Sequence, residues 1–153
     1  MKIDQTNSNI EFTIVKLFFL KVKGTLPEIK GNIELNQNDM SASSVSINIP
    51  LAKLDTKNAK RNEHLQQKDF FNVSEYPEMS FTSDEISEKN NQLWANGKLT
   101  IAGTTNNIEF PFQYNEGIVS GNLSLDRTTY KIGKIPGFVA SKNVDISFNC
   151  KIA

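Results

Sequence analysis

With one cysteine, one histidine and no excess of either charge, this chain lacks the means for several kinds of chemistry. Cys150 alone cannot form an internal disulfide, which favours a reducing compartment without excluding the periplasm. Cys150 and His64 lie far apart in sequence, cannot supply a multi-ligand zinc site, and have no recognisable nucleophile motif around the thiol. The 17 Lys and Arg residues balance 17 Asp and Glu, and without a charged block nothing points to nucleic acid or an anionic membrane surface. The longest unbroken apolar run, Leu17-Phe18-Phe19-Leu20, falls far short of the ~20 residues of a membrane helix, so no integral membrane segment is expected. Met1 to Thr6 hold no apolar segment, so the chain is expected to carry no export signal. It would then be cytoplasmic if this is the whole protein, and periplasmic or secreted if a leader has been removed.

What is present is period-two alternation. Ile10, Phe12 and Ile14 alternate with polar residues, as do Val22, Gly24 and Leu26, then Ile29, Gly31, Ile33 and Leu35. The beat continues through Val45, Ile47 and Ile49, through Met79 and Phe81, and through Leu93, Ala95, Gly97, Leu99 and Ile101. It resumes in Ile108, Phe110, Phe112 and Tyr114, in Val119 to Leu125, and in Val144, Ile146, Phe148 and Cys150. Each run gives one apolar and one polar face, the mark of a half-buried antiparallel strand. The connections are short and polar, Lys89-Asn90-Asn91-Gln92, Gly103 to Asn107 and Asn115-Glu116-Gly117 among them. Without a βαβ rhythm, the chain reads as an antiparallel meander forming a single domain over residues 1–153. A meander of about eight strands removes its exposed edges by closing, so a barrel is favoured over a sandwich.

One segment departs from the strand pattern. Residues 56–68 read as a short helical insert, with Thr56 and Asn58 as candidate N-caps. Arg61 and His64 stand one turn apart on one face of it. They either pin the insert to the barrel or stand at a cavity mouth and meet the polar end of a ligand, and Arg127 invites the same two readings. A base role for His64 finds no partner nucleophile. Leu17 to Leu20 break the alternation, since four consecutive apolar side chains cannot share one face of a strand; they pack as a bulge or form a rim for an apolar ligand or partner. Phe12, Ile47, Phe81, Phe110, Phe112 and Phe148 face inward as core, but periodicity alone leaves open whether that core is solid or hollow.

The run Leu54-Asp55-Thr56-Lys57-Asn58-Ala59-Lys60-Arg61-Asn62-Glu63-His64-Leu65, followed by Asp69-Phe70-Phe71 and Tyr76-Pro77-Glu78-Met79-Ser80-Phe81, resembles the signature of the YceI-like lipid-binding family. So do Val22-Lys23-Gly24-Thr25-Leu26, Gly97-Lys98-Leu99-Thr100-Ile101-Ala102-Gly103-Thr104-Thr105 and Asp126-Arg127, and the likeness extends over nearly the whole chain. Asn62 stands where the family usually has Asp, Leu26 where it has Phe, and Thr129-Tyr130-Lys131 where it has Asp-Phe-Gly.

The resemblance implies an extended, lipocalin-like, eight-stranded antiparallel barrel whose apolar tunnel holds a polyisoprenoid, a quinone-like molecule or a fatty acid or amide. It implies a binding role and no catalysis, with the lipid as ligand and no cofactor. Leu17, Phe18, Phe19 and Leu20 would then line the mouth. Phe12, Ile14, Ile47, Phe81, Leu99, Phe110, Phe112 and Phe148 would line the tunnel, and Arg61, His64 or Arg127 would meet the polar end. The rival is a solid-core interaction module that docks a protein partner, or a second copy of itself, through Leu17 to Leu20.

Overall fold

The computed structural model describes residues 1–16 and 20–152. Every alternating run becomes a strand, in the order β1 (Ile3–Lys16), β2 (Leu20–Leu26), β3 (Lys30–Glu34), β4 (Ser44–Pro50), α1 (Ala59–Leu65), β5 (Glu78–Lys89), β6 (Gln92–Ile101), β7 (Thr104–Asn115), β8 (Ile118–Asp126) and β9 (Asn143–Ile152). Among the described residues the fold is all-β with one short α-helix, and it has nine strands where eight were expected. They form one antiparallel sheet in the order β2-β1-β9-β8-β7-β6-β5-β4-β3. The sheet curls so that its β3 end returns to the start of β1, where Lys2 and Asn32 form a single bridge and the Ile33 amide donates to the Met1 carbonyl at 3.0 Å. The Met1 amino group also pairs with the Glu34 carboxylate.

Three two-residue hairpins set the register of β5 to β8. Asn90 and Asn91, Ala102 and Gly103, and Glu116 and Gly117 all have positive φ, the twist that matches a type I′ turn to its strands. The second of these turns is tighter than the sequence suggested, because Thr104 to Asn107 already belong to β7. The concave face carries the apolar beat. At the end of the sheet marked by Ile3, Ile33, Ile86, Val119 and Ile152 it is closed by buried side chains. At the opposite end the insert folds over it.

The insert starts where the polar pattern placed it but is shorter. Asn58 caps α1, its side chain accepting from the Arg61 amide at 3.0 Å, and the helix stops at Leu65. With 7 residues it is too short to be stable alone, and it is held by its flanks. Asp55 pairs in both directions with Thr25 of β2, at 2.8 and 3.0 Å, while Leu51, Leu54 and Phe70 are buried.

Candidate functional site

The interior of the curled sheet is hollow. A cavity of about 300 Å³ runs from Ile33 and Cys150 at the closed end to Lys16, Arg61 and His64 at the helix end, a volume at the low edge of ordinary ligand pockets (roughly 300–1,000 Å³). Phe12, Ile14, Ile47, Phe81, Leu99, Phe110, Phe112, Phe148, Arg61, His64 and Arg127 all contribute to its wall. Leu20 does not: it is 51% exposed at the start of β2. Leu17, Phe18 and Phe19 lie outside the described residues.

The cavity wall carries a row of aromatic rings. Phe81 on β5, Phe110 on β7 and Phe148 on β9 stand in sequence, with ring centroids 5.3 and 5.6 Å apart, distances at which tilted and edge-on pairs attract. Cys150 also faces the cavity and is buried; desolvation of the thiolate pushes its pKa up from 9.0 to about 11, which disfavours the nucleophilic thiolate form.

The polar residues divide into pins and a rim. Arg127 is buried, and its guanidinium is spent on backbone carbonyls. Nε donates to Ser141 at 3.0 Å, Nη1 to Ile132 and Gly133 at 2.9 and 3.0 Å, and Nη2 to Ala140 at 3.1 Å. Its charge centre also lies 5.0 Å from the Phe138 ring centroid. Burial lowers its pKa, and Asp126 offsets part of that. Arg127 thereby holds the segment 131–142, and this segment brings Ile132, Phe138 and Ala140 into the wall.

Arg61 is a pin of the same kind. Its Nε donates to Thr56 Oγ1 at 2.9 Å and its Nη2 to the Thr56 carbonyl at 2.6 Å, so the arginine needs no carboxylate. Asn62 completes the knot: its Oδ1 accepts from the Thr56 amide and hydroxyl, and its Nδ2 donates to Asp55 at 3.1 Å. An amide, which can accept and donate at once, is what this position requires. His64 packs at a tilt on Phe70, ring centroids 4.9 Å apart, and is the exposed member of the wall, so the cavity reaches an exposed side chain at the helix end.

Tyr130 was missed by sequence reasoning, as were the wall positions Phe70, Phe71, Ile132 and Phe138. Its hydroxyl is buried and makes no hydrogen bond of ordinary geometry. The nearby Asn106 side chain only partly offsets the burial that raises its pKa. The one available signal was composition: Tyr130, Ile132, Ile135 and Phe138 are apolar residues crowded into a stretch rich in glycine and proline. Among the described residues no group of three metal-ligating side chains converges, and no helix is long and apolar enough to cross a membrane.

The chain and its fold have known relatives. The chain is similar to a UPF0312 protein of Staphylococcus aureus, 31% identical over 146 residues, which cover 95% of this chain and 81% of that one. It is also similar to a UPF0312 protein of Photorhabdus laumondii, 34% identical over 96 residues, and there the match spans 63% of this chain and half of the relative's length. In fold it is similar to Burkholderia cenocepacia BcnA, with a TM-score of 0.89 at 20% identity over 99% of both chains. A polyisoprenoid binding domain from Saccharophagus degradans, implicated in plant cell wall breakdown, shares the fold at a TM-score of 0.75 and 14% identity, over 99% of this chain and 98% of that one. The YceI-like domain pattern matches residues 1–152, and the chain belongs to the YceI-like family.

Proposed function

We propose that this protein binds one long-chain amphiphile in the interior of its curled sheet, for transport, storage or protection, without transforming it. In this reading the sheet acts as a lipocalin-like barrel. The observation that carries it is the cavity: its wall is built from the inward beat of the strands, and no aspartate or glutamate side chain contributes to it. An apolar chain burying about 10 methylene equivalents there gains roughly 8 kcal/mol gross, reduced by the cost of ordering it.

The polar end of the guest lies at the helix end, beside His64, Lys16 and Arg61, which line the cavity there. Arg127 is a structural pin and not a headgroup ligand, because its donors already meet four carbonyl oxygens. The rim offers cationic and neutral donors, which suits a carbonyl, carboxylate or similar oxygen acceptor. A polyisoprenoid quinone or a fatty acid or amide satisfies both ends of this description, and the fold likeness to a polyisoprenoid binding domain favours the first.

Organic extraction of freshly purified protein, with mass spectrometry of the extract beside native mass spectrometry of the intact form, tests the reading. A long-chain amphiphile at one per protein is the expected result. An apo mass that stays apo after incubation with quinone and fatty-acid vesicles overturns it.

A further inference from the structure

The wall of the sheet has a break. β6 and β7 are paired over nine positions, from Leu93 with Phe112 to Ile101 with Thr104, and β8 and β9 over nine, from Ile118 with Lys151 to Asp126 with Asn143. Between them β7 and β8 are paired over only three: Gln113 with Ser120, Tyr114 with Val119 and Asn115 with Ile118. Beyond Gln113 and Ser120 the ladder ends. Pro111 supplies the chemical reason, since it has no N–H to continue the pairing. The facing edges of residues 104–112 on β7 and 121–126 on β8 are unpaired along the rest of their length.

Side chains hold this seam. At its far end the Asn106 amide donates to the Thr129 carbonyl at 3.0 Å. Midway the Phe148 ring of β9 crosses over Gly121 of β8, where a Cβ would stand 2.7 Å from the ring, and meets Phe110 of β7 edge-on. Ile108 and Phe110 on one bank and Leu123 and Leu125 on the other line the cavity, so the seam forms part of the cavity wall.

Parting a paired wall breaks a row of backbone hydrogen bonds, each expensive to leave unmade. Parting this seam breaks no ladder beyond Gln113 and Ser120; it gives up the Asn106 hydrogen bond, the Phe148–Phe110 contact and the packing of Gly121 against the Pro111 carbonyl. From this we infer that the β7–β8 seam is a lateral portal, through which an apolar chain enters and leaves sideways while the insert stays in place over the helix end. Asn106 is its latch and Phe148 its inner flap. This rests on the tunnel reading above, and it adds a route that the position of the mouth alone does not suggest.

Continuing the β7–β8 register beyond Gln113 and Ser120 puts Glu109 opposite Ser124. The test is the Glu109→Cys, Ser124→Cys variant, cross-linked with a short bis-maleimide and loaded with cis-parinaric acid; its release to excess phosphatidylcholine vesicles is followed by fluorescence. Cys150 is buried in the cavity wall, and the parent chain treated with the same reagent is the control for any reaction there. Cross-linking is expected to slow release at least tenfold relative to the unlinked variant, with the bound amount at equilibrium unchanged. Asn106→Ala, which needs no cross-link, is expected to speed release about fivefold, the effect of losing one ordinary hydrogen bond. Equal rates with and without the cross-link, at equal loading, overturn the portal and leave the tunnel standing. Failure of every form to take up the probe overturns both.

Discussion

The phenyl ring of Phe12 lies over the Cα of Gly24, its cross-strand partner in β2, so closely that a Cβ on residue 24 would stand 2.1 Å from Cζ. The glycine serves ring placement: the bare backbone lets an aromatic side chain from β1 lie flat along the inner wall. Gly24→Ala is expected to swing the ring into the cavity. Because that space is empty, the cost in stability is at the low end of overpacking, about 1 kcal/mol, while the amount of long-chain fatty acid bound falls. Urea denaturation and a binding titration check both parts. Adding Phe12→Ala to Gly24→Ala is expected to restore binding, and a double variant as poor as the single one would refute the steric account.

Arg127 is expected to matter for the segment 131–142 more than for the sheet. Arg127→Lys keeps the charge but loses the planar fork that reaches four carbonyls, leaving buried acceptors unmet at a cost of about 3 kcal/mol. Hydrogen exchange of residues 131–142 is expected to accelerate with β4 to β6 unchanged. Uniform acceleration throughout the chain would show that Arg127 supports the whole fold and not this segment.

Much of this architecture is legible in the sequence, and the reasons for the rest are physical. A half-buried strand writes its inward face as every second residue, so Phe81, Phe110 and Phe148 could be placed inward without coordinates. Periodicity cannot report whether inward side chains meet in the middle, and for this reason the hollow interior was not legible from it. Nor does it report what lies across from a strand. The interrupted β7–β8 ladder was signalled only by Pro111 within an otherwise regular run. The role of Arg127 depends on carbonyl oxygens 5 to 14 residues away, in a segment with no alternation to read. Asn62 was legible as a departure from the family pattern, but its reason emerges only with Thr56 on one side of its amide and Asp55 on the other.

Cys150 gives a pH-dependent prediction. In the folded chain its thiol pKa is raised by burial from 9.0 to about 11, so folding favours the protonated form. Its contribution to stability is fully present below pH 9 and is lost as the pH rises towards 11. Native protein at pH 8 is expected to leave 5,5′-dithiobis(2-nitrobenzoate) unreacted, and denatured protein to react at once. Cys150→Ala is expected to flatten the loss of stability between pH 9 and 11. Rapid labelling of the native form would mean that the thiol is reached from solvent and is not a sealed wall residue.

The aromatic line supplies the sharpest test of where the guest lies. Phe110 stands between Phe81 and Phe148, 5.3 and 5.6 Å from them, so a larger ring there has only the cavity to expand into. Phe110→Trp is expected to fold, with a stability loss of about 1 to 2 kcal/mol, and to lose binding of a long-chain guest while keeping some binding of short ones. Phe112→Trp, deeper along the same strand, is expected to shorten the longest chain accepted with less effect on shorter ones. Binding of fatty acids of increasing chain length to both variants gives the depth of each block directly. Unchanged binding of the longest chain in both would place the guest outside the tunnel and sink the reading.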